Sequence, residues 1–118
     1  MKSSEIKIKV DKDEKNIPES IKWTATDAPK GEHEYNAKAM FLSFFDKDYR
    51  DTMRMELWTK DMQIQEMDRL VYYSLNSLAD SYFKATSNKE LAEHMRQFAR
   101  FFGEQTEILP KSKESSNQ

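Results

Sequence analysis

The sequence predicts an α+β fold, a four-stranded antiparallel sheet followed by two helices packed on one face of it. Three observations carry this. In the first half, apolar residues alternate with polar ones at the two-residue period of half-buried strands. From Ile64 onward the apolar spacing changes to threes and fours, the period of an amphipathic helix. Two glycines and three prolines in 118 residues favour regular elements over loops. Strands first and helices second is the order of a segregated α+β domain.

Ile6, Ile8 and Val10 alternate with Lys7 and Lys9, the pattern of a strand with one wet face and an edge position that suits lysine. A charged connector follows, with Asn16 and Pro18 where a turn forms easily, and then Ile21, Trp23 and Ala25 repeat the alternation. Residues 27–32 read as a loop, since Pro29 fixes its own backbone and Gly31 permits conformations other residues avoid. The third strand spans residues 34–46 and is apolar on both sides near its end, as expected of a central strand covered on both faces. A charged hairpin loop leads into the fourth strand, residues 52–59, where Met53, Met55 and Leu57 alternate with Thr52, Arg54, Glu56 and Trp58.

The first helix is expected to start between Asp61 and Gln65 and to run to about Thr86, burying Met67, Leu70, Val71, Ser74, Leu75, Leu78 and Tyr82. Ser87 and Glu90 have the spacing of a capping box for a second helix, whose apolar face is Leu91, Met95, Phe98, Phe101 and Phe102 and whose end Gly103 weakens. Residues 1–109 are thus expected to form a single α+β domain, and residues 110–118 a disordered polar tail.

Nineteen basic and 21 acidic residues are mixed along the chain, so no basic field exists to attract nucleic acid. No segment approaches the roughly 20 apolar residues of a membrane span, and the first ten residues contain no unbroken apolar core of an export signal, so no membrane insertion is expected. Zero cysteines remove thiol catalysis, disulfides and thiolate metal sites together and suit a reducing cytoplasm, the location expected here.

Neither His33 nor His94 has a second ligand at a metal-binding spacing, so both read as structural or solvated. Asp46, Asp48 and Asp51 resemble a fragment of a calcium loop, but the glycine and closing glutamate of that motif are missing; a solvated hairpin loop is the simpler reading, as it is for Asp11, Asp13 and Glu14. Gly31 and Gly103 alone cannot build a phosphate loop, and no serine sits in a nucleophile turn. No catalytic, cofactor or metal residues are assigned, and the chain is expected not to be an enzyme. An alternative, an enzyme whose residues converge only in the fold, would show a deep polar pocket joining a histidine to carboxylates.

The distinctive feature is an excess of methionine and aromatic residues on the central hairpin. Much of it belongs to a core, yet such side chains also make adaptable protein-binding surfaces. Met40, Leu42, Phe44 and Trp58 are therefore the candidate partner-binding residues, on a surface turned away from the helices, and a homo-oligomer is expected.

Four segments, Ser4-Glu5-Ile6-Lys7-Ile8-Lys9-Val10, Ile17-Pro18-Glu19-Ser20-Ile21-Lys22-Trp23, Lys38-Ala39-Met40-Phe41-Leu42-Ser43 and Leu57-Trp58-Thr59-Lys60-Asp61-Met62, together resemble the gliding-motility protein GldC family of Bacteroidetes. Ser77-Leu78-Ala79-Asp80 and Lys84-Ala85-Thr86-Ser87-Asn88 continue the likeness. The resemblance implies a small soluble accessory protein of gliding motility, a machinery linked to type IX secretion, with protein partners and no known catalytic site. The element order also looks like the SecB-like chaperone arrangement, which would imply apolar grooves for extended segments of unfolded secretory proteins. A net charge of only -2 departs from the strong acidity expected for recruiting a basic motor partner.

Overall fold

The first two alternating segments form β1 (Ile6–Lys12) and β2 (Pro18–Ala25), paired antiparallel with Ile8 opposite Trp23 and Val10 opposite Ile21. The computed structural model describes residues 2–111. One carboxylate organises the turn between these strands: Asp13 Oδ1 accepts the backbone N–H groups of Lys15 and Ile17, at 2.8 and 2.9 Å. Asn16 sits there with φ 62°, a left-handed conformation that its short polar side chain tolerates. β3 (Tyr35–Ala37) adds to the other side of β2, giving the order β1-β2-β3. Ile21, with Val10 and Ala37 opposite it on either side, is the fully buried centre of this sheet.

The single sheet of four strands is corrected here to two sheets of three and two strands. The expected third strand bends at Lys38 and becomes β3 and β4 (Ala39–Phe45), and β4 pairs with β5 (Thr52–Trp58) in a separate hairpin. The chain changes partners at the bend. On one side the ladder with β2 stops at Ala37 opposite Ile21, while β2 itself continues to Pro18 against β1. On the other side Thr59 takes over, its N–H donating to the Lys38 carbonyl at 2.7 Å, and the ladder with β5 begins.

Buried Thr59 also donates its hydroxyl to Asp61. That hydrogen bond is the main reason the Asp61 carboxyl lies below its ordinary range, and Lys38, 4.0 Å away, adds to it. Lys60 reaches to the β1–β2 turn and pairs with Asp13 at 2.6 Å and Glu19 at 3.2 Å, tying the end of β5 to the three-stranded sheet. The same contact lowers the Asp13 pKa and raises that of Lys60.

The chain divides between Met62 and Gln63 into two compact units. In the second, α1 (Ile64–Thr86) and α2 (Lys89–Gln105) form an antiparallel helical hairpin. Glu66 accepts the Gln63 N–H at 3.0 Å and satisfies one free donor at the start of α1. Ser87, expected to cap α2, instead closes α1 in a left-handed conformation with φ 59°. Asn88 is the cap of α2, its side-chain oxygen accepting the Leu91 N–H at 3.1 Å.

The helices meet through small residues. Ala79, Ala92, Ala99 and Gly103 are buried, while Leu78, expected inside, is exposed. Gly103 does not merely weaken a helix end: a Cβ there would lie 2.7 Å from Tyr72 and 2.9 Å from Leu109, so only glycine admits both side chains. Asp80 and Arg96 pair at 3.2 Å on one side of the hairpin. By the helical period Leu78, Leu91 and Phe98 fall on the opposite side, and all three are exposed. Pro110 and Lys111 follow, and residues 112–118 of the expected polar tail lie outside the described residues.

Candidate functional site

In an antiparallel ladder, residues directly opposite each other share a face and successive residues alternate faces. The β4–β5 register therefore sorts every side chain of the hairpin. Met40, Leu42 and Phe44 stand opposite Leu57, Met55 and Met53, which makes one face apolar without exception. The other face is mixed, with Ala39, Phe41, Ser43 and Phe45 opposite Trp58, Glu56, Arg54 and Thr52. Arg54 and Glu56 pair with each other there at 3.7 Å.

Three of the four candidate contact residues, Met40, Leu42 and Phe44, thus share one face, and Trp58 lies on the other. Met53, Met55 and Leu57 complete the apolar face. Their alternation is visible in the sequence, but only the pairing register shows which side of β4 they join.

The apolar face changes character along its length. At its base Met40, Leu42 and Leu57 are half-buried; toward the loop Phe44 is 60% exposed, Met53 59% and Met55 51%. On the mixed face Phe45 and Trp58 are exposed as well. The end of the third strand, expected to be covered on both sides, is open on both. At the base the apolar surface continues round the Lys38 bend into a pocket of about 170 Å³ lined by Ile6, Ile8, Ile21, Trp23, Ala37, Ala39 and Met40. This is smaller than the roughly 300 Å³ at which small-molecule sites begin, and its size suits a side chain.

The polar candidates resolve into structural parts. His33 packs on Tyr35 with ring centroids 4.0 Å apart, Tyr35 stacks on Trp23 at 4.6 Å, and the Tyr35 hydroxyl donates to the Gly31 carbonyl at 2.7 Å. This stack secures the loop before β3. His94 is exposed on α2, in the other unit. Asp46 Oδ2 accepts the N–H groups of Asp48 and Tyr49 at 3.0 and 2.8 Å, so its carboxylate shapes the β4–β5 loop. Among the described residues no group of three or more His, Asp or Glu is placed to hold a metal ion. A polar hollow of about 740 Å³ is lined by Asp13, Glu19, Lys60 and neighbouring turn residues, and neither histidine is among its lining. Asp13 and Glu19 there are already paired with Lys60. No described helix is long and apolar enough to cross a membrane.

Comparison with curated proteins and with solved structures finds no match. A family model described as gliding motility-associated protein GldC-like matches residues 18–108, and the chain belongs to that family. The match takes in β2 to β5 and both helices.

Proposed function

We propose that this member of the gliding motility-associated GldC-like family is a non-enzymatic accessory protein of gliding motility, acting in the cytoplasm through protein contacts made by the β4–β5 hairpin. The observation that carries the reading is the unbroken apolar face of Met40, Leu42, Phe44, Met53, Met55 and Leu57, whose outer half is exposed. Flexible methionines beside an aromatic ring can repack around a partner, and a contiguous patch of this kind marks an interaction surface. Components of the gliding machinery are the partners the family description suggests, and type IX secretion components, to which that machinery is linked, are included in the proposal.

A second reading is a holdase that binds unfolded secretory proteins. It is favoured by the continuity of the apolar face with the pocket at the Lys38 bend, which offers an extended segment a path and a side-chain hole. An enzyme with an unrecognised site is the third, and the ion-paired acids of the polar hollow offer it little support.

Crosslinking and affinity capture from gliding cells, with wild type and Phe44→Asp in parallel, separates these. A small fixed set of motility or secretion components lost on Phe44→Asp supports the accessory role. A broad set of unfolded envelope proteins supports the holdase. Capture unchanged by Phe44→Asp removes the hairpin face from the proposal, and recovery of the chain alone reopens the search for a small-molecule site.

A further inference from the structure

We propose that β5 pairs with β5 of a second copy of this chain, antiparallel about Met55, joining two hairpins into one four-stranded sheet. The proposal deepens the preceding reading, resting on the same hairpin, but it names a different occupant and a different surface: the free backbone edge of β5.

That edge is open. β5 ends the two-stranded sheet, and every residue from Thr52 to Trp58 except Leu57 is exposed. Which backbone groups face outward follows from the hydrogen bonds flanking the ladder. The Thr59 N–H donates to the Lys38 carbonyl, and the Asp46 N–H to the Asp51 carbonyl at 2.8 Å. Hydrogen-bonded pairs alternate along an antiparallel ladder, so Met53, Met55 and Leu57 direct their N–H and C=O groups toward β4. Thr52, Arg54, Glu56 and Trp58 direct theirs to the free side, where the Thr52 N–H already donates to the Asp51 carboxylate at 2.8 Å. A two-stranded hairpin is marginal alone in water, and a third and fourth strand satisfy these groups while stabilising it.

The side chains select the partner and the register. Pairing about Met55 overlaps all seven residues and sets Arg54 opposite Glu56 of the second copy, twice, by the two-fold symmetry. Met53 falls opposite Leu57, and Met55 opposite itself. Pairing about Arg54 or about Glu56 would set like charges face to face, which destabilises a cross-strand pair. Pairing about Met53 or Leu57 leaves only the end of the strand overlapped. One register thus matches charge, apolar contact and backbone donors together. It also makes the apolar faces of the two hairpins continuous.

The test is a charge exchange at exposed positions, read as mass in solution across protein concentrations. Wild type is expected to be a dimer, with Arg54→Glu and Glu56→Arg each dissociating about tenfold or more readily, since two attractive pairs become two repulsive ones. An equimolar mixture of the two variants, and separately the double variant R54E/E56R, should restore the wild-type dimer. The chain contains no cysteine, so Met55→Cys supplies an independent readout. The two copies of that residue would form a non-hydrogen-bonded pair with Cα atoms about 4.5 Å apart, within disulfide range, and should crosslink on oxidation. A monomeric wild type, single variants that dimerise as wild type does, or a Met55→Cys protein that stays uncrosslinked would each overturn the pairing. Arg54→Glu leaves the Met40 to Leu57 face unaltered, so partner capture by that variant tests the accessory reading separately.

Discussion

β1 and β5 both border their sheets, and their compositions make opposite use of that position. β1 places Lys7 and Lys9 on its wet face, and pairing with a copy of itself about Ile8 would bring each Lys7 against a Lys9. A register irregularity at Asp11 and Lys12 further spoils its regular edge. These are devices that keep a sheet from recruiting another chain. β5 has no lysine, proline or glycine, and its two charges are of opposite sign and symmetric about the central methionine. Solvent exposure alone does not distinguish the edges. The sign pattern does.

Four measurements break or sharpen this contrast. The largest effect is expected from Ile21→Ala, which empties the buried centre between β1 and β3 and should cost about 2–4 kcal/mol in chemical unfolding, whereas exposed Met55→Ala should cost under about 1 kcal/mol in folding. Next is Gly103→Ala, in the helical unit: the added methyl meets Tyr72 and Leu109, and a loss of about 1–3 kcal/mol should exceed the gain in helix propensity. A full stabilisation by that substitution would show that Tyr72 yields freely.

Smaller, and more pointed, is Lys7→Glu. It gives β1 the same complementary signs as β5, and should produce concentration-dependent species larger than the dimer in analytical ultracentrifugation. If mass is unchanged, lysine is not what guards that edge.

The smallest effect concerns the tie between the sheets. The Asp13 carboxyl is held below its ordinary pKa by Lys60, so its contribution to stability is present above the usual carboxylate range and is lost as pH falls through the lowered value. Lys60 is raised by the same partner, so its contribution is present below the usual lysine range and disappears as pH climbs past the raised value. The melting-temperature gap between wild type and Lys60→Gln should therefore be flat near neutrality and close below about pH 4. A gap that persists in acid would assign the lysine a packing role instead.

The sequence carried the element order because periodicity is local: the change at Ile64 marks the start of α1, and Met53, Met55 and Leu57 mark one side of β5. The break at Lys38 is not legible, since nothing in an alternating run announces where its pairing with β2 stops. The same limit applies to the contact face. Trp58 joined the candidate residues by composition, and its separation from Met40, Leu42 and Phe44 depends on a register set by the whole hairpin. Leu78, expected inside, is exposed while its neighbour Ala79 is fully buried, a choice between adjacent positions that the helical period alone does not make. Gly103 reads as a breaker in sequence and acts as a socket for Tyr72 in the fold.

Every strand and helix that pairs here does so with its neighbour in sequence, β1 with β2, β2 with β3, β4 with β5 and α1 with α2. Pairing between sequence neighbours closes short loops, which speeds folding, and longer-range ties such as Lys60 to Asp13 join the pieces. A hairpin such as β4–β5 closes in about microseconds, while subunit assembly depends on collision and takes about milliseconds to minutes. On the proposed β5 pairing, each new copy passes through an interval as a folded monomer with its β5 border unoccupied. During that interval the placement of two opposite charges decides whether the first sheet it joins is its own kind.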